Sequence, residues 1–409
     1  MSVLFNDVVI NKLSGGLGRR TPNQDMISGL LFNGKDATGP NLGGEPLKLE
    51  NDKLYRLASL EDAESLGINR AYDNNGESAY YQISQFFRLN PSGDLFILKN
   101  DKAKTYAELV SYAKNMQELA NGEIRQLAVI FQGEDKPKAK NDEYFSQVTK
   151  AVSAAKTVTN AAFANHQPLE IFLEAKGFDA SKDSIDLRSY DASGVSVVVA
   201  MDKEKSLQDN YKNTAAVGVL LGAVSKAKVS ENIAWIEKFN LSGEGFRSVG
   251  FVGGGQLTTE GVQKTLDTHK YIFSRSHTGI GGVYFNDSHT CTKETSDFTF
   301  IEANRTIHKA ARSVRQALLP KVNAPVLVDP VNGTLPPSVI KGYETLCRAA
   351  LERMISNGEV SQIDVFVNPQ QNILATSELK IKIEVVPTGT ARRITVDLGF
   401  KNPFAKGNS

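Results

Sequence analysis

The sequence predicts a doubly wound α/β core, flanked by a small N-terminal module and by an α+β C-terminal region that ends in a β-hairpin. Three patterns carry that prediction. Between Asp94 and Val224 short apolar runs alternate with helix-length stretches; glycines and prolines cluster from Lys35 to Pro46; and near the end apolar and charged residues alternate on both sides of a Pro/Gly turn. At 409 residues and 41% hydrophobic content, the chain is long enough for two or three domains with ample cores, and its composition excludes a disordered or collagen-like protein.

The first ten residues form a β-rich run of Val3, Phe5, Val8, Val9 and Ile10. The breakers Ser14-Gly15-Gly16-Leu17-Gly18-Arg19-Arg20 and Thr21-Pro22-Asn23 follow, so residues 1–25 are expected to be a strand arm and hinge. Leu60 to Leu66 reads as a helix capped by Ser59, whose hydroxyl can accept a backbone N–H, and residues 26–90 are expected to form the small module. From 91 to 292 strands are expected at Leu95–Leu98, Ile124–Phe131, Leu169–Leu173 and Val195–Met201, with helices at Tyr106–Leu119 and Tyr144–Ala164. That alternation is the pattern of right-handed βαβ crossovers, which build a mostly parallel sheet covered by helices on both faces. In residues 293–409, helices at Ile301–Leu319 and Val339–Ile355 precede Leu379, Ile381, Ile383 and Val385, which alternate with Lys380, Lys382 and Glu384. Pro387-Thr388-Gly389-Thr390 then turns towards Ile394–Phe400, and the two runs are expected to pair as the closing hairpin.

Forty-seven basic against 46 acidic residues leave a formal charge of +1, so any charged partner has to be met by a local patch. Two cysteines, Cys291 and Cys347, are too few for a disulfide scaffold and lack zinc-ribbon spacing; the chain reads as made in the cytosol. Met1 to Asp7 show no basic region leading into a long apolar run, and no later stretch has the roughly 18 apolar residues of a membrane helix, so neither a standard secretion signal nor a membrane span is expected.

Gly250-Phe251-Val252-Gly253-Gly254-Gly255 is the most glycine-dense stretch, but it lacks both a following Gly-Lys-Ser/Thr and the dinucleotide spacing with its distant acid. A tight turn at a strand end accounts for it better than a phosphate cradle. Ser14–Gly18 fails on the same grounds and reads as a hinge. Asp287, His289 and Cys291, with His277 nearby, have the spacing of ligands on one strand face, but no second cluster completes a metal site, and a polar strand edge or turn is the simpler reading. There is no Gly-x-Ser-x-Gly elbow. On the helix from Glu302 to Leu319, Ala303, Ile307, Ala310, Val314, Ala317 and Leu318 share one face, while Arg305, His308, Lys309, Arg312 and Arg315 gather on the opposite one. That stripe suits either an acidic protein surface or nucleic acid, or is simply solvated.

Tyr80 to Phe87, Ala215 to Gly222, Gly281 to Ile307 and Leu379 to Val396 follow one another in an order that resembles the tail sheath proteins of contractile phages and phage-tail-like injection systems. Tyr80 to Phe87, ending in a Phe-Phe pair ahead of the strand Leu95–Leu98, is similar to the family's helix at that place, and Ala215 to Gly222 resembles the helix after its α/β core. Gly281 to Thr292 followed by Ile301 to Ile307 is similar to the glycine-rich strand, threonine turn and basic helix; Leu379 to Pro387 with Ala391 to Val396 looks like the closing hairpin. Val229 to Ile236 stands where many sheaths carry a Trp/Pro segment, which resembles a divergent, Bacteroidetes-type branch; a single chain with all regions present is less similar to the two-chain sheath of type VI secretion.

The resemblance implies a protein with no active site and no cofactor, assembled in a bacterial host cytoplasm into a phage tail or tail-like particle. It implies a C-terminal sheath domain and polymerisation as stacked hexameric rings around a tail tube, with baseplate and tail terminator proteins as further partners and no membrane or direct nucleic-acid partner. Contraction would drive the tube through a target envelope. Terminal strands would be exchanged between subunits, through Val3, Phe5, Val8 and Ile10 at one end and Leu379, Ile381, Ile383, Val385, Ile394, Val396 and Leu398 at the other. Exchange would also cover two otherwise exposed strand edges. The basic residues Arg305, His308, Lys309, Arg312 and Arg315 would face the lumen and hold an acidic tube surface. The competing class is a nucleotide-dependent enzyme built on the α/β domain, because doubly wound sheets host many functions.

Overall fold

At the centre of the fold lies β1 (Ser28–Phe32), five consecutive buried residues paired in parallel with a neighbour on each side. The computed structural model describes residues 24–36, 49–75, 77–103, 105–132, 142–179, 184–254 and 260–400. The strands β2 (Leu54–Leu57), β3 (Leu95–Lys99), β4 (Gln126–Ile130), β5 (Glu170–Glu174) and β6 (Val195–Val198) follow in the chain. At Val199 the expected run Val195–Met201 breaks, and β7 (Ala200–Asp202) leaves the main sheet to pair with β8 (Val249–Phe251). With β9 (Tyr271–Ile272) the main sheet has seven strands in the order β2-β3-β1-β4-β5-β6-β9, parallel throughout except for β2 at its edge. Residues 26–90 thus give β1 and β2 to the main sheet.

The Ser59 cap of α1 (Leu60–Ser65) is present as expected, and the structure completes it into a capping box, with Asp62 N donating to Ser59 Oγ and Ser59 N to the Asp62 carboxylate. Further along, α2 (Ala79–Leu89) precedes β3, and the expected helix Tyr106–Leu119 divides at Tyr112 into α3 (Tyr106–Ser111) and α4 (Ala113–Leu119). Next come α5 (Asp142–Ala164), α6 (Val217–Lys226) and α7 (Glu260–Thr268). α6 lies on β4 and β5 with α2 against it, and α5 lies on β5 and β6 with α3 against it; every residue of β3, β4 and β5 is buried, so the parallel strands are covered on both faces.

The two segments Tyr80–Phe87 and Ala215–Gly222 meet in this packing. Gln82 donates to Ala215 O and accepts from Gly218 N, both at 2.7 Å, closing the start of α6. A Cβ on Gly218 would sit 2.2 Å from Gln82 O, a backbone atom that cannot move without parting the helices; one on Gly222 would sit 3.0 Å from Phe86 O. Gly218→Ala is therefore expected to cost about 3 kcal/mol through overpacking, and Gly222→Ala distinctly less. Urea unfolding checks this: equal midpoints for the two variants would contradict the close crossing.

A hairpin of β10 (Ser274–His277) and β11 (Ile280–Phe285) leads to the C-terminal region. There α8 (Ile301–Leu318) enters with Ile301 in the main core, and Ala310 joins a second, smaller core with Cys347 and Leu351 of α9 (Pro337–Ser356) and Ile363 of β12 (Val360–Val367). The short α10 (Ile373–Thr376) connects β12 to β13 (Ile381–Pro387).

Candidate assembly surfaces of the C-terminal region

Contrary to the sequence reading, the structure turns four of the five basic residues of α8 into the molecule. The reason is that their partners, carbonyls for Arg305 and acids for the others, lie outside the helix, where a reading of one helix cannot see them. Arg305 is buried and donates to Asp25 O and Lys228 O at 3.2 Å and to Ala227 O at 3.3 Å. Lys309 Nζ lies 2.7 Å from both the Asp25 and the Glu359 carboxylates, and Arg312 pairs with Asp25 at 2.5 Å. His308 Nδ1 lies 3.2 Å from Glu170 Oε1 at the start of β5. Arg315 alone of the five is exposed. The stripe thus joins the C-terminal region to the amino ends of β1 and β5.

Burial sets the electrostatics of this junction. Asp25 is pushed up by burial, but the hydrogen bond and charge of Lys309 and the charges of Arg312 and Arg305 outweigh this and hold it below the usual carboxylate range. Burial lowers His308 to about 3, helped by Arg312, Arg125 and Arg305, and raises Glu170 to about 8 against the pull of Arg305. A carboxyl raised above its unfolded value binds its proton more tightly in the fold, so its contribution is fully present below about pH 4.5 and is lost as pH rises towards 8. Glu170→Gln should therefore leave the melting temperature nearly unchanged at pH 4.5 and raise it progressively to pH 8, by on the order of a few kcal/mol in stability. A difference that is flat with pH would mean that Glu170 titrates normally.

The expected closing hairpin is also corrected: β13 pairs antiparallel with β12, from Val360 opposite Pro387 to Val367 opposite Ile381, and residues 391–400 form no strand. The alternation of β13 is real, because Ile381, Ile383 and Val385 pack on the second core, with Leu379 half-buried just before it. Its partner β12 carries the same alternation, with Ile363, Val365 and Val367 buried and Asp364 and Phe366 exposed, a signal legible in the sequence that the reading missed. Beyond Pro387 the chain runs on as an arm without regular secondary structure. Ile394, Val396, Leu398 and Phe400 are 80, 74, 95 and 111% exposed, and were the segment to pair as a strand these residues, two apart, would share one face. The exposed β12–β13 ribbon flanks a groove of about 440 Å³ lined by Ile307, Val314 and Leu318 of α8, Leu351 of α9, and Ile383 and Val385 of β13. Val3, Phe5, Val8 and Ile10 lie outside the described residues.

The other candidates are engaged within the fold. His289 Nε2 bonds Asp267 at 2.9 Å, Asp287 accepts from Asn232 and Arg392, and Cys291 is buried beside Ala192. Among the described residues no three His, Cys, Asp or Glu side chains converge as metal ligands. Gly253 and Gly254 have φ of 82° and 72°, the left-handed turn that glycine adopts freely, and a Cβ on Gly250 would meet Lys203 N at 2.5 Å. At the carboxyl ends of β1 and β4, where open α/β sheets hold ligands, Asn33 and Gln132 bond each other, and Gln132 Nε2 bonds Ser78. No helix among the described residues is long and apolar enough to cross a membrane.

Residues 5–289 match the family described as DUF2586, N-terminal domain, and residues 297–405 match DUF2586, C-terminal domain. No curated protein matches the sequence. Among solved structures the chain is similar to one of the anti-feeding prophage (AFP) baseplate, 6-fold symmetrised, with 14% identity, a TM-score of 0.63, and coverage of 98% of this chain and 100% of that one. A chain of the AFP helical sheath in contracted state matches with 16% identity and a TM-score of 0.62 over 98% and 100% of the two chains. A chain of an extracellular contractile injection system, the PVC sheath complex in contracted state, matches with 11% identity and a TM-score of 0.59 over 98% and 99%. The whole chain therefore has the fold found in these contractile assemblies.

Proposed function

Given that the chain belongs to the DUF2586 family and shares its fold from end to end with chains of contractile injection systems, we propose that it is a structural subunit of a contractile tail sheath. In this reading it polymerises as stacked hexameric rings around a tail tube, meets baseplate and terminator proteins at the ends, and contracts to drive the tube through a target envelope. The observation that carries the reading is the arm: four apolar side chains in period two, attached to a fold of this class and largely exposed, ask for a second chain. The groove beside β13 is the acceptor proposed for it, with the N-terminal run of Val3, Phe5, Val8 and Ile10 as a second exchanged strand.

A tube contact on the basic face of α8 is proposed for Arg315, since Arg305, His308, Lys309 and Arg312 are spent within the chain. Assembly takes place in the bacterial cytoplasm, the product is a phage tail or tail-like particle, and its work comes from two packings of one subunit without a cofactor. Electron microscopy of the purified chain, alone and with its neighbouring tube protein, tests the reading. Striated hollow cylinders are expected; a chain that stays monomeric at high concentration in both conditions, or that binds nucleotide at micromolar affinity through Gly253 and Gly254, would favour the enzyme class.

A further inference from the structure

Between residues 389 and 400 the chain is exposed, and among the described residues of that segment Arg392 is the one whose side chain bonds elsewhere. Its Nε donates to Asp287 Oδ2 at 2.9 Å, its Nη2 donates to Glu302 Oε1, and its guanidinium lies 3.3 Å from the centre of the Phe300 ring. The receiving acids are held from behind. Asn232 Nδ2 donates to Asp287 at 2.6 Å and to Glu302 at 3.1 Å; Ser288 donates its N–H to Asp287 at 2.8 Å and its hydroxyl to Glu302. The side chains of Asp287 and Glu302 are only 14% and 9% exposed, and burial raises Glu302 while Arg392 pulls it back. Two acids so buried and so close need a cation between them. A planar, bidentate one that also stacks on a ring is what arginine supplies and lysine does not.

We propose that Arg392 is a positioning residue for assembly: seated in the Asp287–Glu302–Phe300 socket, it anchors the base of the arm so that residues 394–400 leave the subunit in one direction, set for their acceptor on a second copy of the chain. This rests on the reading of the arm as an exchanged strand. Upstream of the anchor the nearest side-chain attachment is weak, Thr388 Oγ1 to Glu359 O at 3.4 Å, and Gly389 between them faces open space. Without Arg392 the arm would sample many directions, and each association would have to order it anew.

The chain's single tryptophan, Trp235, and Ile394 line one cavity of about 750 Å³ beside the socket, which gives a readout independent of assembly. A nitroxide on Ile394→Cys should quench Trp235 in the full chain, the native Cys291 and Cys347 being buried. Arg392→Ala is expected to relieve most of that quenching with the far-UV spectrum unchanged and, in the unlabelled chain, to raise the critical concentration for assembly by about tenfold or more. Arg392→Lys keeps the counter-charge for the buried acids while losing the fork and the stack; it should relieve quenching in part and covers the case in which the alanine variant misfolds. Undiminished quenching in both variants overturns the anchor. The exchanged-strand reading fails on a different result: a chain ending at Arg393 that assembles as the full chain does.

Discussion

Arg305→Ala should destabilise the protein by about 4 kcal/mol, the cost of truncating a buried side chain and leaving several carbonyls without their donor, and should rank among the most damaging single changes on α8. Arg305 is 4% exposed and its guanidinium donates to three backbone carbonyls, of Asp25, Ala227 and Lys228, which lose that donor in the alanine variant. It also supplies part of the positive charge that keeps Asp25 ionised. A total stability of about 5–15 kcal/mol leaves little room for such a loss, so the urea midpoint should fall steeply with the slope unchanged. Arg305→Lys should recover only part of it, since one ammonium cannot span acceptors on three residues. Arg315→Ala, at an exposed position, should stay within about 0.5 kcal/mol of the parent. If Arg305→Ala were as mild as Arg315→Ala, the inner face of α8 would not be holding the two regions together.

Amphipathicity on α8 was legible, because a 3.6-residue period is a local property, and the sorting of its residues into two faces is correct. That the apolar face packs was legible and is seen in the second core; that the basic face turns inward as well was not. A stripe of five basic residues without an intervening acid reads as free only if nothing outside the helix neutralises it, and Asp25 and Glu359 both lie outside α8 in the chain. The strands of the α/β core were legible as short apolar runs, whereas β1 was missed: Ser28-Gly29-Leu30-Leu31-Phe32 has no alternation because both its faces are buried, and it sits among turn-forming residues. For the same reason its place between β3 and β4 could not be read.

The resemblance and the alternation together predict one pairing that the structure replaces. Leu379 to Val385 and Ile394 to Leu398 do both alternate, and the Pro/Gly turn between them invites a local hairpin. In the structure β13 takes β12 instead, because a partner that brings Val360, Ile363 and Val365 into the second core buries more apolar surface than a local return could. What remains unpaired is Ile394–Phe400, the segment proposed above to pair with another chain.

A chain ending at Arg393 is accordingly expected to fold as the parent does and to lose polymerisation altogether. The removed side chains of Ile394, Val396, Leu398 and Phe400 are 80, 74, 95 and 111% exposed, so their loss costs the monomer almost nothing, and its melting temperature should be unchanged. In the polymer each is expected to bury against a neighbour, gaining about 1.5–3 kcal/mol of gross transfer free energy, with backbone pairing added along the strand. Part of that gain is offset by ordering the arm, which is why the anchor at Arg392 matters. One charge in the apolar face should already show the effect. Leu398→Asp would place a carboxylate where the reading puts an apolar contact, and a loss of about 3 kcal/mol per interface raises the critical concentration by roughly a hundredfold. Removing residues 1–13 should have the same consequence through the other exchanged strand. Sedimentation and electron microscopy of the three variants read this directly. If the chain ending at Arg393 forms cylinders of parental length, the arm is not what connects subunits, and the groove beside β13 has to be filled by something else.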